Sequence, residues 1–244
     1  MFNLHLSSPN PFRFKDVVFS HGWLRLLPFQ WCEDTGTLSR IESLPSGRLA
    51  QLRLQEASSG VLLETDADAV DLPEVERRAR WMLALDEDFA EFHALCRHEP
   101  GLLAAAEHRQ GRILRSPTVW EDVVKTLFSV NTTWRQTISM TRNLVLRYGQ
   151  PLANRGHAFP FPEAIADADP EELRHVCRVG YRAAPLVRIA RAVTTGEVDL
   201  EALKQASADE AELRLRALPG IGPYAAANVL MLLGHYDHLP VDSW

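Results

Sequence analysis

Leu218-Pro219-Gly220-Ile221-Gly222-Pro223-Tyr224 stands between two helical patterns, and its reading decides the fold. Upstream, Ser207-Ala208-Asp209-Glu210 has the form of a capping box and predicts a helix ending near Leu218. Downstream, a second helix is expected from Tyr224 to Gly234, with Ala225-Ala226-Ala227 giving it a small face. Two glycines two apart allow a tight turn that side chains would block. Their amides, with the first turn of the next helix, form an anion site that needs no lysine. Taken alone, Pro-Gly-x-Gly favours an ordinary glycine-capped connection. The stretch after the second helix shifts that balance: Leu239-Pro240-Val241-Asp242 sets a carboxylate at the end of a short apolar connection. By itself Asp242 reads equally as a helix N-cap.

Working outward, Ser116-Pro117 predicts a helix start, with Trp120, Val123, Val124, Leu127 and Phe128 at the spacing of one buried stripe. A further helix is expected from Trp134 to Tyr148, stopping at Gly149. Asp169-Pro170-Glu171-Glu172 predicts another start, and Gly180 its stop. The first 65 residues differ. Phe2 to Leu6, Trp23 to Leu27, Leu38 to Ile41, Leu49 to Leu54 and Val61 to Glu64 are short strand-like runs separated by turn signals. The expected architecture is therefore α+β, an antiparallel β-rich domain over residues 1–72 followed by an all-α domain over 73–244.

Composition bounds the partners. The chain has 244 residues, 46% hydrophobic and 24% charged, which excludes disordered, collagenous and coiled-coil classes. No apolar run reaches the roughly 18 residues a membrane span needs, and the N-terminus lacks a signal-peptide pattern. Cys32, Cys96 and Cys177 lie far apart without metal-ligand spacing, consistent with reduced thiols and a cytoplasmic protein. The net charge of -6 argues against nucleic acid, but the excess is local. Residues 1–110 hold 11 Lys+Arg against 17 Asp+Glu, whereas residues 111–244 hold 15 of each. Only Lys15, Lys125 and Lys204 are lysines.

Leu218 to Asp242 resembles the helix-hairpin-helix (HhH-GPD) DNA glycosylase superfamily, whose signature is such a hairpin followed by an aspartate in a Pro-Val-Asp setting. Val179-Gly180-Tyr181-Arg182-Ala183 and Ser129-Val130-Asn131-Thr132-Thr133 are similar to segments of its 8-oxoguanine branch. The β-rich start is similar to that branch and to the inducible alkylpurine glycosylases.

The resemblance implies double-stranded DNA holding a damaged base as partner, and a nucleotide flipped into a pocket. It implies Asp242 as the catalytic carboxylate stabilising an oxocarbenium-like sugar or orienting water. Pro219, Gly220, Ile221 and Gly222 would hold DNA phosphate. Tyr181 with Arg182 would supply the wedge, and Asn131 would fill the vacated space or meet the orphan base. Read without the neighbouring motifs, Tyr181 is better taken as a core aromatic and Asn131 as a local backbone partner.

Bifunctional members carry a lysine where this chain has Tyr224, so hydrolysis without Schiff-base lyase chemistry is expected. Tyr224, Asn228 and Trp120 are candidate base-pocket residues, although helical spacing also fits Trp120 to the core. His235 and His238 give a poor metal signal, so no metal site is expected. No cofactor is expected beyond a monovalent cation at the hairpin, and the β-rich start argues against an iron–sulfur cluster. A monomer is expected. The chain, ending at Trp244, is expected to lack at least one helix of its relatives. The expected substrate is an alkylated purine such as 3-methyladenine. Thymine or uracil mismatches, oxidised purines, or non-catalytic DNA binding are the alternatives.

Overall fold

The computed structural model describes residues 1–8, 12–153 and 155–241. The chain divides into two compact units. The first comprises Met1–Arg25, Phe29–Pro117 and Leu152–Gly156; the second comprises Leu26–Pro28, Thr118–Pro151 and residues 157 onward.

The first unit is built on a five-stranded antiparallel sheet: β1 (Phe2–Ser7), β2 (Gln30–Cys32), β3 (Thr37–Ser43), β4 (Leu49–Ala57) and β5 (Gly60–Thr65). Hairpins join β2 to β5 in sequence, and β1 closes the order β1-β5-β4-β3-β2 by pairing with β5. The register sets Leu54 between Leu38 and Leu63, and Leu52 between Arg40 and Thr65, so period-two alternation gathers one buried face. Two expectations fail here. Trp23 to Leu27 is not a strand, because Gly22–Arg25 forms a 3-10 turn ahead of Pro28. The three-residue β2 carries no apolar alternation by which to find it.

That buried face also holds Arg40 and Glu42. Helix α1 (Leu72–Met82) meets them with Arg78, which donates to Glu42 at 2.7 Å, to the Ser43 carbonyl at 2.9 Å and to Glu74 at 2.6 Å. Arg40 pairs with Glu42 and stacks over Phe29. Buried charge survives here because each ion has a partner.

The strand-to-helix change falls at Leu72, close to where the period changes in the sequence, yet the sheet's compact unit runs on to Pro117. Arg115 explains the continuation. Its N–H donates to the Met82 carbonyl at 2.9 Å, and its guanidinium pairs with Glu87 and stacks on Trp81.

The second unit is helical: α2 (Val119–Ser129), α3 (Trp134–Tyr148), α4 (Ala183–Thr194), α5 (Ala208–Arg216) and α6 (Pro223–Leu233) are its longer helices. Helix α2 starts two residues later than expected, with Thr118 rather than Ser116 as N-cap, accepting the Glu121 N–H at 3.3 Å. It is not amphipathic in use. Every residue from Val119 to Phe128 is buried, including Glu121, Asp122 and Lys125. Lys125 donates to Glu121 at 2.6 Å one turn away, which pairs two of the three charges the helix carries inside. Each large apolar side chain buried on α2 contributes about 1.5–3 kcal/mol. Helix α3 matches its expected bounds, and Thr133 with Gln136 forms a complete capping box at its start.

Candidate nucleic-acid interface and active site

The hairpin is shaped by which of its residues are buried. Ser207 accepts the Glu210 N–H at 3.3 Å to start α5. The chain then turns through Leu218 and Ile221, both buried, with the Ile221 N–H on the Leu218 carbonyl at 3.2 Å. Gly220 sits at φ +83, and a Cβ there would stand 2.9 Å from Leu127 Cδ1 and 3.2 Å from Pro185 Cβ. Glycine is thus required twice over, by backbone hand and by close approach of α2 and α4. Gly222 differs: it is the N-cap of α6 at φ -89 and ψ -175, exposed, with nothing within 4 Å of a Cβ. It brings no side chain to cap the helix, and no acidic residue lies in the first turn of α6. The first N–H groups of any helix lack internal partners and carry its positive end. Here the turn carries no side-chain cap and Gly222 and Pro223 are exposed, an arrangement suited to an anion such as a phosphate oxygen. Pro219 is half-buried beside this turn.

The Asn131 segment is held at both ends. At its start, Arg182 reaches back to the C-terminus of α2, whose last turn has no basic residue of its own. Arg182 Nε donates to the Leu127 carbonyl at 3.1 Å, and Nη2 donates to the carbonyls of Val130 and, at 3.3 Å, Asn131. At its end, the Thr133 N–H donates to Gln136 Oε1 at 3.1 Å, and Thr137 Oγ1 donates to the Phe128 carbonyl at 3.0 Å. Asn131 itself takes the left-handed conformation at φ 47, with its residue exposed. Backbone in that region concentrates at functional sites.

Tyr181 lies 57% exposed in a 3-10 turn, Gly180–Arg182, with its ring 4.5 Å from the Arg182 guanidinium. That turn follows a π-helical turn, Leu173–Cys177, and Arg178 in the left-handed region at φ 59. Gly180 therefore opens a turn rather than ending a helix. Arg182 brings Tyr181 and Asn131 together, and Leu127 links both to the hairpin through its contact at Gly220. Arg182 itself is 5% exposed, with its guanidinium held beneath the surface on main-chain carbonyls.

The pocket candidates separate. Tyr224 is half-buried in the first turn of α6, and Asn228 Nδ2 donates to its carbonyl at 2.8 Å, one turn away. Trp120 is a core residue, 5% exposed, its indole N–H on the Pro160 carbonyl at 2.9 Å. Its period on α2 already fits that outcome. Asp242 lies outside the described residues.

The His235 main-chain N–H continues the helix onto the Leu230 carbonyl, and His238 Nδ1 pairs with Asp237 at 3.1 Å. Among the described residues, no cluster of three His, Cys, Asp or Glu could hold a metal ion. Burial pushes the Cys177 thiol up to about 11, with the Arg147 charge opposing. Cys32 is exposed, and the Thr35 hydroxyl and amide hold its thiol below the ordinary range.

Sequence reasoning passed over the buried Lys125–Glu121 pair, since two opposite charges four apart on a helix ordinarily mark a solvated face.

Residues 124–242 match the family model described as HhH-GPD superfamily base excision DNA repair protein. Over 99% of its length the chain is 29% identical to the Mycobacterium tuberculosis protein named probable bifunctional transcriptional activator/DNA repair enzyme AlkA, covering 49% of that relative. The chain therefore spans about half the length of that relative. It is 26% identical to the Bacillus subtilis DNA-3-methyladenine glycosylase across 65% of this chain and 54% of that one. The solved 3-methyladenine DNA glycosylase from Archaeoglobus fulgidus shares the fold, with a TM-score of 0.80 at 23% identity, covering 100% of this chain and 82% of that one.

Proposed function

We propose, from the match of residues 124–242 to the HhH-GPD superfamily of base excision DNA repair proteins, that this protein is a DNA glycosylase. It flips a damaged base from duplex DNA and hydrolyses its N-glycosidic bond. The observation that carries this reading is the meeting of three elements in the helical unit: the uncapped hairpin turn, the exposed Tyr181 and the strained Asn131. The first holds phosphate through main-chain amides, and the other two stand where a stacked base must be displaced and its space filled. Asp242 supplies the carboxylate that stabilises positive charge developing on the sugar or orients the attacking water. The sugar's bond to the base breaks with its electron pair leaving on the base, and water supplies the hydroxyl at C1′.

Hydrolysis rather than lyase chemistry is supported by the lysines. Tyr224 occupies the position from which a lysine would attack, and a phenol forms no imine. The lysines of the helical unit are committed elsewhere: Lys125 is fully buried against Glu121, and Lys204 pairs with Glu201 at 2.6 Å. An alkylated purine is the proposed base, supported by the name of the Bacillus subtilis relative.

The test is a panel of duplexes, each holding one alkylated, oxidised or mismatched base, incubated with the protein and then treated with alkali. Strand breaks at the alkylated purine are expected. Asp242→Asn is expected to retain duplex binding while losing base release. Wild-type protein releasing no base from any duplex would sink the proposal, and breaks without alkali would refute its hydrolytic form.

A further inference from the structure

Among the described residues, Arg182 is the one cation of the helical unit that touches both the Tyr181 ring and the Asn131 main chain. Its guanidinium is spent on main-chain oxygens. Three carbonyls at the end of α2, those of Leu127, Val130 and Asn131, accept from two of its three nitrogens. Those of Leu127 and Val130 are among the carbonyls a helix leaves unsatisfied at its C-terminus, where its negative end lies, and that of Asn131 follows directly. The residue is 5% exposed, so its guanidinium lies beneath the surface that a base edge would meet. Moving it would strand the buried Leu127 carbonyl and release Asn131 from its link to Arg182.

We infer that Arg182 is a positioning residue that locks Tyr181 and Asn131 into one preassembled insertion unit, and that it does not read the base opposite the lesion. Of these three residues, Arg182 is committed, which leaves the aromatic face of Tyr181 and the amide of Asn131 to meet the unpaired base. An aromatic face stacks on any base, and an amide carries both a donor and an acceptor, so it can answer any of the four. The protein is therefore indifferent to the orphan base.

This inference rests on the glycosylase reading, and the experiment separates the two. Duplexes carrying a tetrahydrofuran abasic analogue opposite A, C, G or T are titrated by fluorescence anisotropy alongside an intact duplex. A 2-aminopurine next to the analogue reports unstacking at saturating protein. Wild type is expected to prefer all four analogue duplexes over the intact one, with Kd values within about threefold of each other. Arg182→Met is expected to weaken all four alike by about tenfold and to lose the unstacking signal even when binding is saturated; Arg182→Lys should regain part of both. A merely structural loss of stability would not abolish the signal at saturation. A spread above about tenfold that collapses in Arg182→Met would show that Arg182 reads the orphan base. Full unstacking by Arg182→Met at saturation would remove its positioning role. No preference of wild type for the analogue over intact DNA would instead refute the repair reading on which both stand.

Discussion

Gly220→Ala and Gly222→Ala alter two glycines of one turn, and the geometry gives them opposite phenotypes. At Gly220 the backbone is left-handed at φ +83, which costs an L residue roughly 1–2 kcal/mol. The new methyl would also stand 2.9 Å from Leu127 Cδ1 and 3.2 Å from Pro185 Cβ, closer than carbon atoms tolerate. Leucine can swing its terminal methyl away, but the proline ring on α4 cannot. Overpacking of this kind costs about 1–3 kcal/mol. A stiffer unfolded chain returns about 0.4–1 kcal/mol. The net loss is about 1–5 kcal/mol, a fall in Tm of roughly 2–18 °C for a chain of this size. Gly222 has ordinary extended dihedrals and open space at its Cβ. Alanine is a poorer N-cap than glycine, and the gain in the unfolded state offsets this, so stability should stay within about 0.5 kcal/mol of wild type. The methyl, however, then stands on the exposed side from which a phosphate approaches, and duplex affinity should fall. Urea denaturation followed by circular dichroism measures the first effect, and anisotropy with a labelled duplex measures the second. The reasoning is refuted if Gly220→Ala is as stable as wild type, or if Gly222→Ala binds duplex undiminished.

Three further outcomes are set by the packing. Lys125→Met should destabilise by about 3–5 kcal/mol, because its partner Glu121 is 1% exposed, and the double variant with Glu121→Leu should lose at least about 1 kcal/mol less than the two single losses together; strict additivity in urea titrations would contradict the pairing. Thr133→Ala removes the N-cap side of the α3 capping box and should cost about 1 kcal/mol by the same assay, an unchanged midpoint being the adverse result. Iodoacetamide at pH 8 should label Cys32 first, since a depressed thiol pKa leaves more thiolate there. Cys177, pushed up to about 11 and buried, keeps only about one thiolate in a thousand and should react after unfolding; mass spectrometry that finds Cys177 modified first would overturn this order.

The hairpin, the bounds of α3 and four of the five strands could be read from sequence because their signals are local: caps, glycines and the change of period from two to 3.6. The misreadings have nonlocal causes. Helix α2 presents Glu121, Asp122 and Lys125 as if to water, and only its burial on every side shows the charges satisfied internally. Trp23 to Leu27 has strand-like composition, yet it forms a 3-10 turn over Gly22–Arg25. Arg182 sits in a short exposed-looking motif, and its partner carbonyl at Leu127 lies 55 residues away. No pattern in Gly180-Tyr181-Arg182 states which way that side chain turns. Strain is similarly silent: nothing adjacent to Asn131 announces φ 47, which arises from two anchors on either side of it.

The uncapped start of α6 has a chemical corollary. Its donors are peptide amides, which do not ionise between acid and alkaline pH and cannot be acetylated. A duplex contact made there neither titrates with pH nor contributes a cationic side chain to the salt dependence of binding. It is also hard to lose by substitution. Any residue but proline placed in that turn brings its own N–H, so a change can obstruct the donor array or misalign it but seldom delete it. A protein with few lysines and an acidic balance can in this way keep a phosphate grip encoded in backbone direction instead of in charge.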